Sequence, residues 1–123
     1  MATNKILLLE KAYSAFNARD IETALAAMHP EVDWPNGMEG GSVFGHAGVR
    51  AYWIRQWSVI DPTVQPTHFA ALADGRVAVE VHQVVRDLAG NILKDAMVEH
   101  VFAFEDSLIK SMQIRENETD RAA

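Results

Sequence analysis

The sequence contains no cysteine, which excludes disulfide frameworks, thiolate nucleophiles and cysteine-ligated zinc. Positive charge is also scarce. Eleven Lys and Arg stand against 17 Asp and Glu, for a formal net charge of -6 at pH 7. No basic stripe is present to neutralise phosphates, and Arg50 with Arg55 reads as solvated helix surface, so no nucleic-acid partner is expected. Long hydrophobic runs are missing too. Ile6-Leu7-Leu8-Leu9 is too short for a signal peptide's apolar region and is followed by Glu10 and Lys11. No export signal and no membrane span are read, and the expected location is cytoplasmic. The five histidines show no HxxxH or comparable spacing, so neither a metal site nor a cofactor is expected. Gly40-Gly41 lacks the Gly-Lys-Ser/Thr ending of a phosphate cradle and reads as a flap.

What is present suits one domain over residues 1–123, with 49% hydrophobic residues to build a core. Ile6, Leu9, Tyr13 and Phe16 recur at helical spacing behind a capping Thr3. Asp20 caps a second short helix, striped by Ile21, Ala24, Leu25 and Met28 and closed at His29-Pro30. Val32-Asp33-Trp34 is a short extended piece, and the Gly-rich stretch after it is a loop. A third helix is expected from about His46 to Ile60, placing Trp53 and Trp57 on one face.

Beyond Pro62 the period changes to alternation. Four strands are expected over 64–72, 76–86, 91–105 and 108–116, with Pro66 marking the first as an edge strand or one that begins irregularly. The polar end, residues 117–123, is expected to fray. The expected fold class is α+β, with the sheet curled over three helices.

Within the long strand of residues 91–105, Glu99 and His100 are neighbours and must point to opposite faces. If Leu88-Ala89-Gly90 is a three-residue loop with Gly90 left-handed, Asp87 pairs with Asn91 and odd residues share a face across the hairpin. Gln83, Met97, Glu99 and Val101 then face inward, and a two-residue turn at Asp106-Ser107 brings Lys110, Met112 and Ile114 to the same layer. His82, His100, Phe102 and Phe104 fall on the outer face, whose apolar character suggests a homodimer seam. A two-residue turn at Ala89-Gly90 would reverse this parity and turn His100 inward.

Tyr13-Ser14-Ala15-Phe16-Asn17-Ala18-Arg19-Asp20, His29-Pro30-Glu31-Val32-Asp33-Trp34, the Gly45-His46-Ala47-Gly48-Val49-Arg50-Ala51-Tyr52-Trp53 helix start and the long terminal strands together resemble the nuclear-transport-factor-2-like superfamily. That group includes ketosteroid isomerases and SnoaL-like polyketide cyclases. The resemblance implies a cystatin-like α+β roll: three N-terminal helices packed in a strongly curved antiparallel sheet, forming a cone with an internal pocket and commonly dimerising through the sheet's outer face. It also implies that Glu99 falls where ketosteroid isomerases carry the protonated acid of their oxyanion hole. Trp34 falls at their base position and Ala12 at their tyrosine position, so steroid isomerisation itself is not implied.

The expected function is binding of a small, largely apolar molecule, with Glu99 as a catalytic carboxyl for isomerase- or cyclase-type proton transfer next to a carbonyl. The expected ligand-binding residues are Tyr13, Trp34, Asn36, Trp53, Trp57, Gln83, Met97, Val101 and Met112. The competing reading is a non-catalytic ligand-binding or assembly domain.

Overall fold

The computed structural model describes the backbone of residues 2–116 and the side chains of residues 4–115; the expected fraying end, 117–123, lies outside them. Helix α1 (Ala2–Asn17) turns its Leu9 and Tyr13 face into the core, and Arg19 at φ 64° breaks the chain direction after it. Thr3 lies inside this helix and not at its cap. Helix α2 (Ile21–Ala26) is capped by Asp20, whose carboxylate accepts from Thr23 N–H at 3.2 Å.

Strand β1 (Met28–Pro35) begins where the sequence suggested only a helix end, so His29 and Pro30 are strand residues. Strand β2 (Ser42–Phe44), inside the expected loop, pairs antiparallel with it. Helix α3 (Gly45–Trp57) follows directly. Gly45 sits at φ 71°, and a Cβ there would lie 3.2 Å from the Pro30 carbonyl oxygen, so this junction requires glycine.

The remaining chain forms β3 (Ile60–Ala71), β4 (Val77–Asp87), β5 (Ile92–Glu105) and β6 (Leu108–Glu116). The sheet order is β2-β1-β6-β5-β4-β3, antiparallel except for the β1–β6 pair. β3 is therefore an edge strand, where Pro62 and Pro66 leave no ladder donor missing. The fold is the expected α+β cone of three helices against a curled sheet. Leu9, Leu25, Met28, Trp53, Val79 and Ile109 fill its centre, each 2% exposed or less.

Both tight turns have the expected geometry. Asp87 N–H donates to Asn91 O at 2.9 Å with Gly90 at φ 98°, and Asp106-Ser107 is a two-residue turn with both φ positive. The parity of β5 is nevertheless opposite to expectation. Arg86 pairs with Ile92 but Val85 pairs with Lys94, leaving Leu93 as an extra residue; Phe104 pairs with Ile109 but Ala103 with Ser111, leaving Lys110 extra. Each β-bulge shifts the register by one, and each shift exchanges the faces. β5 is inverted from the first bulge through Phe104, and so is the start of β6, where Ile109 is buried in place of Lys110; the inward residues of β4, and of β6 from Met112 on, are as expected.

The consequences are specific. His100 and Phe102 face the interior at 6% and 2% exposure, and Phe104 packs beside the core beneath the Lys5 ammonium, so these three cannot form the outer seam. Of the four expected seam residues only His82 lies outside, bonded to Asp95 at 2.6 Å. Glu99, Met97 and Val101 occupy the outer face. Lys110, expected inside, reaches Glu31 and Glu105, each at 3.6 Å.

Candidate functional site

A cavity of about 90 Å³ opens between the helices and the concave face of the sheet. Helix α1 contributes Ala12, Tyr13 and Phe16; β1 contributes Met28, Trp34 and Pro35; α3 contributes Tyr52, Trp53 and Gln56. The sheet closes it with Val64, Gln83, His100, Phe102, Met112 and Ile114. The helical period of α1 and the two-residue period of the strands bring these positions to one volume. No Asp, Glu, Lys or Arg is among them.

The wall is a connected set of rings. Trp34 meets Trp53 edge-on at 5.8 Å, and Trp53 lies 5.2 Å from Phe16 and stacks on Trp57 at 5.7 Å. Trp57 therefore backs the wall without lining the cavity. Such contacts fix the indoles through shape and quadrupole preference, so the walls are rigid before any ligand arrives.

The polar centre is Tyr13 with His100. The Tyr13 hydroxyl and His100 Nδ1 are 2.7 Å apart, their rings nearly parallel at 8°. Burial without a neighbouring charge pushes the His100 imidazolium down to about 4 and raises the Tyr13 phenol above its ordinary value. Both groups are neutral at physiological pH. Among the described residues, Nε2 of His100 has no hydrogen-bond partner, and it is not enclosed by protein atoms. When Tyr13 donates to Nδ1, Nε2 carries the proton and is a donor; when Nδ1–H donates to Tyr13, Nε2 is an acceptor. One dyad thus offers either half of a proton exchange.

A second polar group stands on α3. Tyr52 accepts from Gly37 N–H and from Gln56 Nε2, both at 3.1 Å, and burial raises its phenol also. It anchors the Gly-rich loop, within which Asn36 Oδ1 accepts from Met38 and Glu39 N–H and Asn36 Nδ2 donates to Glu39.

Of the expected site residues, the fold brings Tyr13, Trp34, Trp53, Gln83 and Met112 to the cavity. Asn36 is occupied in its own loop, and Met97 and Val101 point away. Glu99, the expected catalytic carboxyl, is 43% exposed on the outer face, 3.7 Å from Arg115. Sequence reasoning missed His100, Phe102, Tyr52, Gln56 and Phe16 as lining residues; Ile114, expected on the inward layer with Met112, lines the cavity. The open hairpin parity was the one signal that pointed to His100.

One further cluster has metal-ligand chemistry. His29, Glu105 and Asp106 place ligand atoms within 4.8 Å of one another. However, His29 Nδ1 accepts from Glu31 N–H at 3.0 Å, so the proton sits on Nε2, which faces Glu105 at 3.2 Å and Asp106 at 3.4 Å. A protonated Nε2 has no lone pair for a cation, and the cluster reads as a hydrogen-bonded clasp.

The chain belongs to the SnoaL-like domain family, whose model matches residues 9–112. Among solved structures it is similar to TerC co-crystallised with polyporic acid, at 28% identity and TM-score 0.81 over 97% of this chain and 95% of that one. It is also similar to an NTF2-like protein of Burkholderia pseudomallei, at 26% identity and TM-score 0.80 over 96% and 94% of the two chains. A Mycobacterium tuberculosis protein in complex with estradiol-17beta-hemisuccinate shares the fold at 16% identity and TM-score 0.79 over 93% of this chain and 94% of that one. No curated protein matches the sequence. Among the described residues, no helix is long and apolar enough to cross a membrane.

Proposed function

We propose that this SnoaL-like domain binds a small, largely apolar, carbonyl-bearing molecule in its cone, and that His100, oriented by Tyr13, exchanges a proton with it. The observation that carries this reading is the buried 2.7 Å Tyr13–His100 hydrogen bond, with the opposite ring nitrogen unpaired at an otherwise apolar cavity. Similar proteins hold small molecules: TerC was crystallised with polyporic acid and the M. tuberculosis protein with an estradiol ester. Space between the indoles supports a ligand site over a purely structural aromatic core.

The chemistry is proton transfer beside a carbonyl. Nε2 takes a proton from the carbon next to the carbonyl while Nδ1–H donates to Tyr13, giving an imidazolium and an enolate; the enolate oxygen takes a proton from water or from Tyr52, and on reversal it gives that proton back while Nε2–H returns a proton to carbon. Neutral imidazole suits this role, since only that form presents a lone pair.

The test uses two readouts. The uncharged ketone 2-tetralone should quench the fluorescence of the wall tryptophans in wild-type protein, and His100→Phe should weaken its binding about tenfold, the value of one hydrogen bond from a desolvated group. The protein should also accelerate solvent deuterium exchange beside the carbonyl of the same ketone, followed by NMR, with Tyr13→Phe slower and His100→Phe at background. Binding without any exchange would assign the protein to the non-catalytic class. Equal binding by His100→Phe would remove the dyad from the site.

A further inference from the structure

The inward row of β4 runs Val77, Val79, Val81 and then Gln83. The interruption is chemically conspicuous because the first three are at most 1% exposed, whereas Gln83 lines the cavity with a carboxamide. Among the described residues that carboxamide has no hydrogen-bond partner, and it is not enclosed by protein atoms. His100 is the other inward polar group on these central strands with an unpaired atom. It pairs with Val79, so Gln83 lies four residues farther along β4, about 13 Å of strand. Between the two levels the inward residues are Val81 and Val98, both buried and apolar.

On its sheet side the cavity is thus polar at two separated levels, with the apolar Val81 and Val98 behind the gap; on the helix side the Tyr52 hydroxyl already accepts from Gly37 and Gln56, and Gln56 Oε1 is buried without a partner among the described residues. The cavity also holds no fixed charge. An anion such as a carboxylate or phosphate would lose its hydration there and find no counter-ion. An uncharged molecule carrying one polar group would leave the other protein group unpaired. A hydroxyl suits Gln83 best, because it both gives and accepts and so satisfies a carboxamide presented by either its oxygen or its nitrogen.

We propose that the cavity takes an elongated, uncharged molecule with a polar group at each end, a carbonyl or hydroxyl held by His100 and a hydroxyl held by Gln83. Gln83 is then a specificity-determining residue, setting the length and the second functional group of the ligand. This rests on the reading of the cone as a ligand site with His100 as its polar pole.

Isothermal titration with two probes of the same skeleton, 4-hydroxybiphenyl and 4,4′-dihydroxybiphenyl, tests it. Wild-type protein should bind the dihydroxy probe about tenfold more tightly, as expected for one added desolvated hydrogen bond. Gln83→Leu should abolish that preference by weakening the dihydroxy probe while leaving the monohydroxy probe unchanged. Equal affinity of the two probes for wild type, or Gln83→Leu weakening both alike, would overturn the role of Gln83. The wild-type comparison decides this even if the variant folds poorly. His100→Phe separates the two levels of the reading: if it weakens neither probe while Gln83→Leu is selective, the pole at His100 is wrong and that at Gln83 stands. Failure of both probes to bind wild type would overturn both.

Discussion

Glu99 and His100 are consecutive residues on β5, and they occupy different solvents. His100 is 6% exposed, bonded to one phenol and surrounded by rings, and burial holds it neutral. Glu99 is 43% exposed with Arg115 at 3.7 Å, where water does most of the stabilising. His82 makes the same point with residue type held constant. On the outer face it meets Asp95 at 2.6 Å with its ring 44% exposed. The difference between the two faces of one sheet, more than the identity of the side chain, decides which group meets the cavity.

Deleting Leu93 should have the largest effect. It removes the extra residue of the bulge and forces Glu99 toward the interior and His100 toward water, an error that cannot be absorbed over the buried strand. The expected loss exceeds about 4 kcal/mol and folding becomes non-cooperative in urea titrations. Leu93→Ala, which keeps the register and trims an exposed side chain, should stay within about 0.5 kcal/mol. A deletion as stable as wild type would mean that the bulge does not set the faces.

A pH series sharpens the contrast next. The His100 value in the folded protein, about 4, lies below the ordinary 6.5, so the unfolded chain binds a proton that the folded one refuses. That contribution is fully present above pH 6.5 and is lost as pH falls toward 4, by roughly 3 kcal/mol over the window. Urea midpoints of wild type should therefore fall faster with acid than those of His100→Phe; parallel acid limbs would contradict a neutral, buried imidazole.

The smallest effect is expected at Glu99. Glu99→Gln removes a half-exposed charge and should change stability by less than about 0.5 kcal/mol, without altering 2-tetralone binding or deuterium exchange. A large loss of exchange would restore the carboxyl to the chemistry.

The helices were legible because the spacing of Leu9, Tyr13 and Phe16 is a local property. The two hairpin turns were legible because Gly90 and the Asp106-Ser107 pair carry local turn chemistry. β2 was not, since three residues in a Gly-rich loop carry too little pattern, and β1 was longer than its apolar core implied because partners β2 and β6 extend it. Of the site, Tyr13, Trp34, Trp53, Gln83 and Met112 could be read from their place on faces. His100 could not, because its direction depends on two bulges that have no sequence signature as strong as a turn's.

The amino-acid sequence by itself determined the α+β cone, the aromatic wall and the presence of one carboxylate and one imidazole side by side on the longest strand. Only the tertiary structure decided which of them meets the cavity. Strand alternation fixes that neighbours oppose one another, but the absolute choice of face belongs to the register. The register is settled by extra residues at Leu93 and Lys110, whose placement depends on how β5 packs between β4 and β6 over the helices.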